Sequence, residues 1–242
     1  MNNYENVISL GYFCSVSLDL KELGLRSFST PFEWVLCEEF EQVIKQIKTH
    51  FENFLDYDSM SQSKTELTHY KNEKTGMVFF HDFDRYQPLL KQFDFVVEKY
   101  NRRIPRFYER ISKPTLFIRY IGVQCDDVGN NIDADWISKN FTLIIDTIKS
   151  FNKDNDIIFI ANSDVKNLPF DCFYVDKDEN DIVNRKPLFS NKELYSLLNA
   201  ETNKINKELN KQHKDKKRPM RLFSAFKKVF FKKYIHSKQF DE

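Results

Sequence analysis

Apolar residues in this chain occur either as short continuous runs or as longer stretches of helical period. Val7-Ile8-Ser9-Leu10, Met77-Val78-Phe79-Phe80, Thr115-Leu116-Phe117-Ile118, Asp156-Ile157-Ile158-Phe159-Ile160 and Cys172-Phe173-Tyr174-Val175 read as buried strands. Between them the spacing predicts helices over 16–25, 38–51, 88–111 and 136–151, the third broken or kinked near Pro105. The second of these places Phe40, Val43, Ile44, Ile47 and Phe51 on one face, and the last does the same with Ile137, Phe141, Ile144, Ile145 and Ile148. The polar stretch 58–74 reads as a loop or irregular hairpin ending at Gly76, and 124–133 as a polar loop. Continuous apolar strands separated by helix-length crossovers are the mark of a parallel sheet covered on both faces. The expected fold is therefore α/β, a three-layer α/β/α domain with a mostly parallel sheet.

Parallel sheets bind ligands beyond the carboxyl ends of their strands. Here those ends carry Cys14, His81-Asp82, Arg119-Tyr120 and Asn162-Ser163-Asp164. Taken singly, each has a plain structural explanation: a free cysteine is usually a small buried hydrophobe, His81 a satisfied histidine, Arg119 an ion-pair partner, Asp164 a helix cap. Taken together they supply a thiol, an imidazole, a carboxylate or amide and a guanidinium, the parts that thiol-based acyl transfer needs. Cys14 also falls where a strand hands over to a helix, and a helix N-terminus favours the thiolate. On this reading Cys14 is the nucleophile and His81 the base.

Several short motifs accompany these residues: Ser9-Leu10-Gly11 followed by Cys14, then Leu23-Gly24-Leu25-Arg26, Pro31-Phe32-Glu33-Trp34 and His81-Asp82-Phe83. In that combination the sequence resembles a bacterial domain of unknown function described as a putative papain-like cysteine peptidase, over about residues 5 to 120. This chain has Glu33 where the family more often has Asp, which keeps the carboxylate and moves it by one methylene. The resemblance implies Cys14 as nucleophile and His81 as base, with Asp82 or Asp164 as the orienting group. It also brings in a link to surface-polysaccharide enzymes, which sets acyl or glycan transfer beside peptide hydrolysis.

Around this core, Phe32 and Trp34 read as sheet-covering aromatics or as a substrate platform, and Glu33 as the partner of a base such as Arg26 or Arg119. Trp34, Glu33, Arg26, Arg119 and Asn162 are the candidate substrate-binding residues. The trio Arg102, Arg103 and Arg106 is either a solvated helix face or an anion site.

Composition changes the picture mainly through charge. The 242 residues carry a net charge of +1, yet residues 201–242 hold 13 Lys/Arg against 5 Asp/Glu. A division into an α/β domain over 1–200 and a basic helical tail over 201–242 follows. Within the tail, Leu222, Phe223, Phe226, Val229, Phe230 and Tyr234 interleave with lysines after Pro219. Residues 219–236 thus form the pattern of a basic amphipathic helix suited to an anionic membrane surface, or to docking on the acidic half. No recognised nucleic-acid fold accompanies the basic patch, so no nucleic-acid partner is expected. No apolar run approaches the ~18 residues of a membrane span, and the first residues lack a signal-peptide pattern. The expected location is cytoplasmic, with peripheral attachment to the inner membrane face. Four widely spaced cysteines, no GxGxxG, no P-loop and no HExxH speak against zinc, nucleotide cofactors and a disulfide framework. No metal or cofactor is therefore expected.

Three functions remain open at this level. The first is a Cys14/His81 hydrolase of peptidase type or an acyl or glycan transferase. The second is a non-catalytic module that binds an anionic sugar. The third is a transferase using Asp82 or Glu33 as base with Cys14 inert.

Overall fold

The stretch Thr115–Ile121 is buried at every position, and its side chains part to two faces. Leu116, Ile118 and Tyr120 join Val7, Val16, Leu20, Ile160, Leu194 and Leu198 in one apolar cluster. Phe117 and Ile121 join Ile8, Phe40, Ile144 and Phe159 in another. A strand buried on both sides at period two needs a covering layer above and below.

The computed structural model supplies those layers, describing residues 4–64, 69–84, 86–162, 165, 168, 170–175 and 186–215. In chain order the elements are β1 (Asn6–Ser9), α1 (Ser15–Glu22), β2 (Val35–Leu36), α2 (Phe40–Lys48), β3 (Met60–Gln62), β4 (Tyr70–Asn72), β5 (Val78–Phe79) and α3 (Leu89–Ile111). They continue as β6 (Thr115–Ile121), α4 (Ile132–Lys139), α5 (Phe141–Lys149), β7 (Asp156–Asn162), β8 (Cys172–Val175), α6 (Pro187–Ser190) and α7 (Lys192–Asp215). One sheet has the order β1-β6-β7-β8, and every neighbouring pair in it is parallel. Residues of α1, α6 and α7 pack on one face, and residues of α2 to α5 on the other. The fold is the expected α/β arrangement with a parallel sheet between helices and a helical C-terminal region.

A second, antiparallel sheet of order β2-β5-β4-β3 is inserted between α1 and α3. This corrects one expectation. The run 77–80 supplies β5, which pairs antiparallel with β2 and β4 rather than joining the parallel sheet. Four apolar residues can build either kind of strand, and periodicity does not tell them apart. The polar stretch 58–74, expected as loop or irregular hairpin, supplies β3 and β4, paired antiparallel.

Two helices also differ from expectation. Residues 136–151 are not one helix: α4 and α5 meet at Asn140, whose φ of −119° and ψ of 19° interrupt the helical course. The first of them starts earlier, at Ile132, because the Asn131 side chain accepts a hydrogen bond from the Ala134 amide at 2.9 Å. Helix α3, by contrast, runs unbroken through Pro105. That proline is on an exposed position, where water can satisfy the carbonyl its ring leaves without a donor.

The core beside the second sheet is aromatic. Phe32 meets Phe51, Phe54 and Phe107 at ring-centroid distances of 5.1, 6.3 and 5.8 Å, and all four are buried. Burial of such rings supplies much of the packing energy available to a domain of this size.

The chain divides into two units, residues 1–205 and 206–242. In the second unit the described residues, 206–215, are the helical end of α7. The amphipathic segment 219–236 and Asp164 lie outside the described residues. Among the described residues, no helix is long and apolar enough to cross a membrane.

Candidate active site

Strand β1 ends at Ser9, and the chain then turns through Gly11 at φ +79° before reaching Cys14, the N-cap of α1. Glycine suits that turn because a side chain is strained at positive φ. Cys14 is half-buried, with φ −70° and ψ −15° and no side-chain capping bond. It therefore stands where the strand-to-helix pattern placed it, at the positive end of a helix. Burial nonetheless pushes its thiol up, and its own backbone amide only partly opposes this. At neutral pH the resting group is the protonated thiol, in contrast to the thiolate expected from the helix terminus alone.

Cys14 lines a narrow crevice, too tight to hold a water molecule, together with Phe13, Trp34, Val35, Leu36, Phe80 and His81. Cys14 and Phe13 come from the β1–α1 connection, Val35 and Leu36 from β2, and Phe80 and His81 from the turn after β5. The antiparallel pairing of β2 with β5, Val35 opposite Phe79, sets Trp34 beside the His81 turn. The Trp34 and His81 rings meet edge to face at 5.7 Å, and Phe13 meets Phe80 at 5.8 Å in the same geometry. His81 itself is exposed.

The Pro31-Phe32-Glu33-Trp34 box divides its duties. Phe32 points into the core, Trp34 forms cleft wall, and Glu33 is buried but ion-paired. Arg26 grips Glu33 through two parallel bonds, Nε to Oε1 at 3.0 Å and Nη2 to Oε2 at 2.7 Å. The same guanidinium donates to Ser29 Oγ at 2.8 Å and lies 5.8 Å from the Trp34 ring. Arg26 and Glu33 thus support the Trp34 wall from behind, and of the candidate substrate-binding residues only Trp34 lines the cleft.

The remaining sequence candidates go elsewhere. Asp82 follows His81 but turns away to α3, where Lys99 Nζ and Tyr100 Oη donate to its carboxylate, the second at 3.0 Å. Asn162 is buried at the end of β7 and does not line the cleft. Arg119, read from sequence as the end of a strand, is inside β6 and fully buried. Its guanidinium donates to the carbonyls of Leu10, Cys37 and Glu38 and to Asp133 Oδ2, so it faces protein on every side. Asp133 was not among the sequence candidates. It ended a polar loop in the one-dimensional reading, and only the tertiary fold brings it to Arg119. Burial pushes its carboxyl up, while Arg119 and the Phe40 amide pull it down.

The other thiols are distinct from Cys14. Cys37 is fully buried and Cys172 half-buried, and burial pushes both up to about 12. Cys125 is exposed. Among the described residues no cluster of His, Cys, Asp and Glu is arranged to hold a metal ion.

Fold and cleft together define a class: a parallel α/β protein with a helix-terminal cysteine and a histidine that line one small cleft. The family model for the domain described as a putative papain-like cysteine peptidase (DUF1796) matches residues 5–133. That is more than half of the chain, and the chain belongs to this family. It is also similar to an uncharacterized protein, R408, of Acanthamoeba polyphaga mimivirus, 27% identical over 191 residues, covering 67% of this chain and 80% of that one. This relative is viral, so it lends no weight to the bacterial attribution of the resemblance. No solved structure matches the chain.

Proposed function

We propose that this protein is a cysteine-dependent hydrolase of peptide-type acyl bonds, with Cys14 as nucleophile and His81 as its proton carrier. The observation that carries the reading is that these two residues, far apart in sequence, line one cleft together with Trp34, whose ring meets His81. Family membership points the same way.

Because burial favours the thiol over the thiolate at Cys14, deprotonation belongs to the attack step. His81 takes the Sγ proton as sulfur bonds to the substrate carbonyl carbon, the carbon–nitrogen bond breaks, and His81 returns the proton to the leaving amine. The product is a Cys14 thioester. Water, deprotonated by His81, then attacks the thioester carbonyl, and the carbon–sulfur bond breaks to release a carboxylic acid and the thiol. The unpaired amides of the first turn of α1 favour negative charge next to Cys14 throughout. With Asp82 held by Lys99 and Tyr100, the edge contact from Trp34 takes on the orienting of His81. An acceptor other than water would turn the same thioester into an acyl-transfer intermediate.

The test uses p-nitrophenyl acetate, a small activated ester, on protein with Cys37, Cys125 and Cys172 replaced. An acetyl group found on Cys14 by mass spectrometry, forming about a hundredfold more slowly in His81→Ala, supports the reading. Acetylation indifferent to His81, or absent from Cys14, would refute it.

A further inference from the structure

We infer that Arg119, clamped by Asp133, is a positioning residue that fixes the distance between the Cys14 wall and the His81 wall of the cleft. The inference rests on the Cys14–His81 reading above and extends it to a group that never touches substrate.

The argument begins from an anomaly in β6. Alternate positions on one face of this strand are Phe117, Arg119 and Ile121, and the arginine is as fully buried as its apolar neighbours. A buried guanidinium is costly unless its donors are used. Nε has no partner among the described residues, and the bonds that Nη1 and Nη2 make to backbone go to two segments. Nη1 donates to the Leu10 carbonyl at 3.4 Å, at the start of the turn that delivers Cys14. Nη2 donates to the carbonyls of Cys37 at 3.0 Å and Glu38 at 3.2 Å, immediately after β2. One planar fork thus ties together the two chain segments that form the cleft: 10–14, ending in the thiol, and 34–38, which carries Trp34 and pairs through β2 with the strand before His81.

Further contacts surround this clamp. The Asp133 carboxylate takes Nη2 on Oδ2 at 2.5 Å and the Phe40 amide on Oδ1 at 2.6 Å. It thereby fixes the N-terminus of α2 to the same guanidinium. The rings of Phe40 and Tyr12 lie 5.0 and 5.8 Å from the Arg119 carbon, giving it aromatic neighbours of the kind that stabilise a cation. The Cys37 amide donates to the Tyr12 carbonyl at 3.1 Å, a direct rung between the two segments. Gly11 lies beside this fork at positive φ, where a side chain is strained by the backbone, although a Cβ would meet Nη1 only at an ordinary 3.7 Å.

Lysine cannot reproduce a planar fork with several divergent donors, so Arg119→Lys keeps the charge and loses the geometry. A proton transfer between groups on two separate segments of chain is sensitive to displacements of about an ångström. The consequence is specific: Arg119 matters to Cys14 only through His81.

The experiment is a double-mutant cycle on Cys14 acetylation by p-nitrophenyl acetate, read across pH 6 to 9 in the same three-cysteine-replaced background. Arg119→Lys is expected to slow acetylation about tenfold when His81 is present and to flatten the His81-dependent limb of the pH profile. In the His81→Ala background the same substitution is expected to change the rate by less than about twofold. Equal slowing in both backgrounds, or no slowing where wild type depends on His81, overturns the positioning role and leaves the Cys–His pair standing. A wild type already indifferent to His81→Ala overturns the pair, and the clamp with it. Should Arg119→Lys fail to fold, Asp133→Asn replaces it. That variant keeps an acceptor for the Phe40 amide and removes the countercharge, with the same coupled slowing expected and the same uncoupled result fatal.

Discussion

Asp19 provides a stability prediction that can be worked through from its surroundings. It is on α1, the helix that begins at Cys14, and is buried against α6, where its Oδ2 accepts a hydrogen bond from the Leu188 amide at 2.9 Å. Burial raises its carboxyl from 3.8 to about 7; the Leu188 amide and Lys186 oppose the shift and Glu22 adds to it. Between those two values the folded protein holds a proton that the unfolded chain has released. The stabilisation from the protonated form is therefore complete below pH 3.8 and is lost as pH rises through about 7. Each pH unit in that window is worth about 1.4 kcal/mol. Raising the pH from 5 to 7 thus costs about 2–3 kcal/mol from this residue, with little further change above pH 8. Asp19→Asn keeps an acceptor for the Leu188 amide and cannot ionise, so its stability lacks this slope and exceeds that of wild type at pH 8. Urea unfolding of both proteins at pH 5, 6, 7 and 8 measures the difference. Parallel stability curves would refute the reasoning, because they would mean that Asp19 ionises alike in the folded and unfolded chains.

Two other outcomes follow from the same reasoning. Removing Arg26 by Arg26→Ala strands the buried Glu33 carboxylate and is expected to destabilise the fold by about 3 kcal/mol in urea unfolding. The double variant Arg26→Ala/Glu33→Gln is expected to recover most of that loss. In native protein treated with iodoacetamide at pH 7, peptide mapping should find Cys125 modified first and Cys37 and Cys172 protected until denaturant is added, given the exposure of the first and the raised thiols of the other two.

The position of Cys14 was legible because it depends on local pattern. An apolar strand, a glycine at a turn and a helix of period 3.6 follow one another within about twenty residues, and neighbouring residues fix all three. The strands of the parallel sheet were legible for a similar reason, since residues buried on both faces must be continuously apolar. The Trp34 wall was half legible: the aromatic box stood out, but whether each ring met core or cleft depended on which way the chain turned after Pro31.

What the sequence could not determine was partnership across distance. The run 77–80 is as apolar as the parallel strands, and only its pairing with β2 and β4 makes it the support for His81 in a second sheet. Asp82, next to that histidine in sequence, is drawn to Lys99 and Tyr100 on α3, because a carboxylate leaving water goes to the nearest donors in space. Arg119 had the composition of a strand-end ligand group, yet β6 runs two residues past it and Asp133 arrives from the following helix to neutralise it. Local pattern determined which residues form strands and helices, since hydrophobic period and turn chemistry are properties of adjacent residues. The tertiary structure decided which charges meet and which walls enclose the thiol, since burial and electrostatics act through space.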